Sequence, residues 1–153
     1  MRMLRPILAV VLFCLAGPAA AAETIKIGAL LAVTGPASFL GAPEARTLEM
    51  LVEKANAAGG INGIKFELLI KDTGASPEKA VSFAKQLIEE HQVFAIIGPS
   101  PSGESMQVKQ LAEESGTLLL SCAAAEVIVQ PVSKWVFKSP QSDSDAVRRI
   151  FDR

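Results

Sequence analysis

The stretch Gly98-Pro99-Ser100-Pro101-Ser102-Gly103-Glu104-Ser105 concentrates the residues best placed for chemistry. It comes within one residue of G-x-x-x-x-G-K-[ST], in which a glycine-rich loop and a lysine hold nucleotide phosphates. Glu104 stands where that lysine belongs, and a carboxylate there repels the β- and γ-phosphates. The stretch also misses G-x-S-x-G, because Ser102 falls where the nucleophile elbow needs glycine, and G-x-G-x-x-G occurs nowhere. What remains is a turn into a helix carrying hydroxyls at Ser100, Ser102 and Ser105. The free N–H groups and partial positive charge of a helix start can hold one carboxylate. Ser102 can equally serve as the N-cap of its own helix, so from the residues alone both roles stay open.

Other chemistry is thinly provided. Two cysteines and one histidine cannot build a four-ligand zinc site without carboxylates, which show no ligand spacing here, so no metal is expected, and no cofactor is expected either. His91 falls at the end of a helical stretch, where it interacts with the helix dipole, and is given no catalytic role. Cys122 follows the apolar Leu118 to Leu120 without a basic or histidine neighbour, as an inert thiol does. Fifteen Lys and Arg balance sixteen Asp and Glu, and no basic stretch lies beyond the first five residues, which argues against a nucleic-acid partner. Half of the 153 residues are hydrophobic and 20% are charged, which excludes an intrinsically disordered chain.

The elements that must position the serine turn follow an alternating pattern. Ile25 to Leu31 is nearly all apolar, as a strand covered on both faces must be, and it stops at Thr34-Gly35-Pro36. A helix is expected after Gly41, with Pro43 and Glu44 in its first turn and its end at Asn56 to Gly60. Lys65 to Lys71 alternates apolar residues with Glu67 and Lys71, the charge pattern of a protected edge strand. Ser76 caps the next helix and Pro77 opens it, with Ala80, Phe83, Ala84, Leu87 and Ile88 along one face. Strands at Val93 to Ile97, Thr117 to Leu120 and Trp135 to Phe137 follow, with a helix from Glu104 to Ser115. Right-handed crossovers make the five strands parallel, and a charged edge strand beside an apolar first strand favours the flavodoxin-like order 2-1-3-4-5. The expected fold is an α/β doubly wound parallel sheet, with its ligand loops after Leu31 and Ile97.

Residues 1–22 read as a secretory signal peptide: Arg2 and Arg5, then the apolar Ile7 to Ala16, the breakers Gly17 and Pro18, and Ala20-Ala21-Ala22 before Glu23. The apolar run is shorter than the roughly 20 residues a membrane span needs, so no stable membrane insertion is expected after cleavage. Losing Arg2 and Arg5 takes the formal charge from −1 to −3 and leaves Cys122 as the remaining cysteine, without an internal disulfide.

Ile25 to Gly35 (IKIGALLAVTG), Asn56 to Asp72 (NAAGGINGIKFELLIKD), the helix Ser76 to Glu90 and Val93 to Gly98 resemble the leucine/isoleucine/valine-binding proteins. These form the hydrophobic amino-acid branch of the type I periplasmic solute-binding proteins of ABC importers, and the resemblance runs from Glu23 to the end. It implies two doubly wound lobes joined by a hinge, with residues 23–140 as the first lobe. Residues 141–153 then hold the hinge crossing and the start of a second lobe that is otherwise missing. It also implies an amino-acid or small-carboxylate ligand, permease subunits as partners, a periplasmic location and no enzymatic activity.

Residue by residue, the resemblance gives Ser102 the ligand carboxylate, with Ser100 contributing main chain. Ala123 offers its carbonyl to the ligand ammonium. Ala125 stands where relatives carry a hydroxyl, and Leu40 where some carry an aromatic ring over the ligand. A sensor or receptor module of the same fold is the alternative reading, and a small α/β enzyme ranks well below both.

Overall fold

A computed structural model describes residues 23–152; the signal peptide read from residues 1–22 lies outside them. Five strands form one sheet: β1 (Thr24–Leu31), β2 (Lys65–Asp72), β3 (Ala95–Ile97), β4 (Leu118–Ser121) and β5 (Val136–Lys138). All pairings are parallel and the order is β2-β1-β3-β4-β5, as the charge pattern and crossover rule predict. β1 pairs with β2 along its whole length, from Thr24 opposite Lys65 to Leu31 opposite Asp72. Its other edge pairs Ile27 to Ala29 with Ala95 to Ile97 of β3. This central place explains why its C-terminal half is fully buried.

The helices are α1 (Ser38–Ala57), α2 (Pro77–Lys85, continued by a wide π turn Gln86–Glu90), α3 (Ser102–Ser115) and α4 (Asp143–Phe151). α2 forms as its signals dictate. The Ser76 hydroxyl accepts the Lys79 N–H at 3.3 Å, Pro77 fills the first turn, and Ala80, Ala84 and Leu87 are fully buried.

α1 departs from expectation. It begins at Ser38, before Gly41, so Pro43 lies inside the helix rather than in its first turn. A tight turn closed by the Ser38 N–H on the Gly35 carbonyl starts the coil early. Gly41 then lets the helix press on the end of β1, where an added Cβ would overlap the Ala32 carbonyl. At the far end the Asn56 amide donates to the Phe66 carbonyl and accepts the Phe66 N–H, both at 2.8 Å, fastening α1 to edge strand β2.

Two cores flank the sheet. Leu30, Ile96, Leu119 and Val136 pack beneath α2 and α3 with Leu87, Val108 and Ala112. On the opposite face Ala29, Leu31 and Ala45 pack with Leu48, Leu68 and Ile70 under α1. α1 covers the β1–β2 half of that face, whereas Ile97, Leu118 and Leu120 stay half-buried and Phe137 is 50% exposed. No helix among the described residues is long and apolar enough to cross a membrane.

Candidate functional site

The C-terminal ends of β1, β3 and β4 gather three loops at the switch point of the sheet, the place where doubly wound folds bind ligands. β3 leaves through Gly98, whose φ of +97° belongs to the left-handed region. A side chain there would also overlap the Leu30 carbonyl, so glycine is what lets the turn pass against β1.

Ser100 is buried, and its hydroxyl works within the fold. Its Oγ accepts the Ala32 N–H at 3.2 Å and donates to the Glu44 carboxylate, tying the β3–α3 turn to the β1–α1 loop. Ser102 is the first residue of α3, while the N-cap is Pro101, which makes no side-chain capping bond. Of the two roles open to Ser102, capping is therefore not the one adopted. Its hydroxyl bonds to none of the described residues, and the N–H groups of Ser102, Gly103 and Glu104 find no backbone acceptor. The first N–H satisfied is that of Ser105, which donates to the Pro101 carbonyl.

Glu104, which spoils the phosphate-loop pattern, faces away from the mouth of the turn. Its side chain is fully buried, Oε2 accepts the Thr73 hydroxyl at 3.0 Å, and Oε1 has no partner. Burial pushes its carboxyl above the ordinary value; the Thr73 bond opposes this and the Asp72 charge adds to it. Asp72 itself accepts the Thr34 hydroxyl at 2.6 Å and the N–H groups of Thr34 and Gly74. Burial alone would raise the Asp72 carboxyl, and these bonds instead hold it below the usual range.

A second pair of hydroxyls joins α3 to the loop after β4. Ser105 and Ser121 are fully buried with their oxygens 2.7 Å apart, and Ser121 Oγ accepts the Ala123 N–H at 3.1 Å. The Cys122 N–H donates to the Pro99 carbonyl at 3.2 Å. Together they hold Ala123 while its carbonyl receives no hydrogen bond among the described residues. Ala125 precedes a single 3₁₀ turn, Glu126–Ile128, and is half-buried. The Lys138 ammonium donates to the neighbouring Ala124 carbonyl at 2.8 Å.

Beside these loops lies an open cavity of about 430 Å³, lined by Phe39, Leu40, Glu44, Leu48, Ile97 and Cys122 among its neighbours on α1. Leu40 thus reaches it directly and Ser100 through Glu44, whereas Ser102, Ala123 and Ala125 do not line it. Burial raises the Glu44 carboxyl, opposed by the Ser100 hydroxyl. Cys122 is pushed up to about 11 by burial and then by the Glu44 charge, which keeps the thiol protonated at neutral pH. Among the described residues no cluster of His, Cys, Asp and Glu could hold a metal ion.

Sequence reasoning missed Glu44, Glu104 as a buried group, and the Ser105–Ser121 pair. Ser105 had a signal, its hydroxyl in the turn. Glu44 had none, because its partner Ser100 lies 56 residues away.

A doubly wound lobe with an unfilled helix start and an apolar cavity at its switch point defines a class of ligand-binding lobes rather than a particular protein. The family follows from comparison: residues 24–153 match the periplasmic binding protein family, and the chain belongs to it. The "Leu/Ile/Val-binding protein homolog 7" of Brucella suis is 37% identical over 102 residues, 67% of this chain and 25% of that protein. A chemotactic signal transduction system substrate-binding protein, BasB of Halobacterium salinarum, is 35% identical over 103 residues, 66% of this chain and 25% of the relative. Among solved structures, the branched-chain amino acid transporter substrate binding protein LivJ of Streptococcus pneumoniae, in complex with isoleucine, superposes with a TM-score of 0.76. It shares 29% identity, over 80% of this chain and 35% of that one. The chain thus spans about 25% of the length of these curated relatives. The family is one of solute-binding proteins, not enzymes.

Proposed function

We propose that the protein is the solute-capturing component of an ABC importer, taking up branched-chain or related amino acids or small carboxylates in the periplasm and delivering them to permease subunits. The observation that carries this is the start of α3. Ser102 has a free hydroxyl there, three N–H groups lack backbone acceptors, and the Ala123 carbonyl, in the loop after β4, receives no hydrogen bond among the described residues. An anion gains charge-assisted bonds and the helix dipole at such a place, and an ammonium gains a carbonyl. The names of the relatives, Leu/Ile/Val-binding and isoleucine-bound, support the ligand class. Residues 23–140 form the first lobe in this reading, and 141–153, where α4 begins, lead into a second.

Calorimetric titration of the intact exported protein with leucine, isoleucine and valine tests the proposal. Binding at micromolar concentration supports it, and heat below detection for every amino acid and carboxylate tried refutes it. Cleavage between Ala22 and Glu23 is expected on export, and mass spectrometry finding Met1 on the exported form refutes the signal peptide. A second reading, a binding module that feeds a receptor, is favoured by the likeness to the chemotactic relative. Genes for a permease and ATPase beside this one decide for the importer, and a neighbouring receptor gene decides for the sensor.

A further inference from the structure

Glu104 sits in the first turn of α3, two residues after Ser102, and its own N–H is one of the three without a backbone acceptor. It is the one ionisable residue between Gly98 and Ser105. Its side chain is fully buried and carries one hydrogen bond, from the Thr73 hydroxyl to Oε2 at 3.0 Å, while Oε1 meets no donor among the described residues. The neighbouring elements bring it no cation. Glu78, Lys79 and Lys85 of α2 are exposed, Lys109 further along α3 reaches the Val127 carbonyl, and Lys138 of β5 is held on the Ala124 carbonyl. On the α1 side Glu44 bonds the Ser100 hydroxyl. The charge that bears on the Glu104 carboxyl is Asp72, of the same sign.

A ligand carboxylate at the start of α3 and an ionised Glu104 compete for the same helix end. Both lie within the first turn, about 5.4 Å of helix, and burial keeps solvent and salt from screening the Glu104 charge. We propose that Glu104 controls ligand capture through its charge: the start of α3 takes an anionic group when Glu104 is neutral, and binding draws a proton from solvent onto this carboxyl wherever it is ionised in the free protein. The inference rests on the solute-binding reading and deepens it by making the captured species ligand plus proton. The proton adds to Oε1, the oxygen without a donor, so the Thr73 bond to Oε2 persists and α3 stays fastened to the loop after β2. Charge balances, because the incoming anion replaces the one that Glu104 gives up. Desolvation already favours the neutral acid in the free protein, with the Thr73 bond opposing it and the Asp72 charge adding to it. A second anion in the turn pushes the same way. Glu104 is thus a positioning residue, acting on the ligand through the helix end it shares rather than by contact.

The test is calorimetry of leucine binding to the intact protein and to its Glu104→Gln variant from pH 5 to pH 7, in buffers of different ionisation enthalpy. Leucine keeps both its charges across that range, so protons exchanged on binding come from the protein. The wild type should take up protons on binding, and its affinity should rise about three- to tenfold from pH 7 to pH 5. Glu104→Gln keeps an oxygen for the Thr73 hydroxyl and is neutral throughout. It should bind leucine about tenfold more tightly than the wild type at pH 7, with affinity independent of pH and no proton uptake. A wild type that binds leucine without exchanging protons, at one affinity across the range, overturns the assignment even if Glu104→Gln fails to fold, and leaves the solute-binding reading standing. A Glu104→Gln variant that binds more weakly than the wild type at every pH also overturns it and marks a purely structural carboxylate. Proton uptake that persists in Glu104→Gln belongs to another group, such as Glu44 or His91, and overturns it too. If the wild type binds no leucine at any pH, the solute-binding reading fails and the role of Glu104 falls with it.

Discussion

Replacing Ser100 by alanine removes one oxygen that serves two elements, and the structure allows the cost to be worked out. The Ala32 N–H it satisfies is fully buried, and a buried donor left unpaired costs about 1–3 kcal/mol. Its second bond, to the Glu44 carboxylate, is to an ionised acceptor, but Glu44 is only half-buried and lines an open cavity. Water can replace that donor, so this loss is set at about 0.5–1 kcal/mol. The total is about 1.5–4 kcal/mol, or a fall in Tm of about 5–16 °C for a chain of this size. Ser102→Ala is the internal control. Its hydroxyl has no partner in the described residues, so stability should change by less than about 0.5 kcal/mol while ligand affinity falls by about 1–3 kcal/mol. Urea and thermal unfolding followed by circular dichroism, beside calorimetry with leucine, separate the two effects. A Ser100→Ala protein that melts with the wild type, or a Ser102→Ala protein as unstable as predicted for Ser100→Ala, refutes the division of labour between the two serines.

Other substitutions probe the packing around the site. Gly41→Ala should cost at least about 2 kcal/mol in urea unfolding, because its methyl meets the backbone of Ala32 rather than a movable side chain. For Glu104 the folded carboxyl lies above its ordinary value of 4.5, so its favourable contribution is complete below about pH 4.5 and is lost as pH rises through the folded value. Glu104→Gln should therefore be more stable than wild type at pH 7, by about 1 kcal/mol, with the gain shrinking toward pH 4.5. An advantage that grows on acidification contradicts the burial assigned to this group. Cys122, raised from 9.0 to about 11, should react with iodoacetamide at pH 8 about a hundredfold more slowly than a free cysteine, measured by mass spectrometry.

Much of the fold is written in local patterns. The nearly all-apolar run of β1, broken by Lys26, calls for cover on both faces and so an interior place in the sheet. The alternating charges of β2 demand an edge, and Ser76-Pro77 with the stripe from Ala80 to Ile88 demands a helix on the core. Given right-handed crossovers, these features favour an order with β2 at the edge beside β1, and the structure has that order. The serine turn was legible too, because glycine, proline and hydroxyl residues between a strand and a helix leave few other conformations.

The roles inside that turn were decided by tertiary structure. Ser100 and Ser102 look alike in sequence, yet one hydroxyl is tied to Glu44, 56 residues away, and the other is left free. Glu104 could have faced the turn or the core, and Thr73, 31 residues distant, settles it. α1 starts before Gly41 because that glycine alone lets a helix approach the Ala32 backbone so closely. Periodicity and propensity act over a few residues, so they report which face of an element is apolar. Which buried polar atom finds which partner depends on how whole elements are set against each other, and no local pattern encodes that distance.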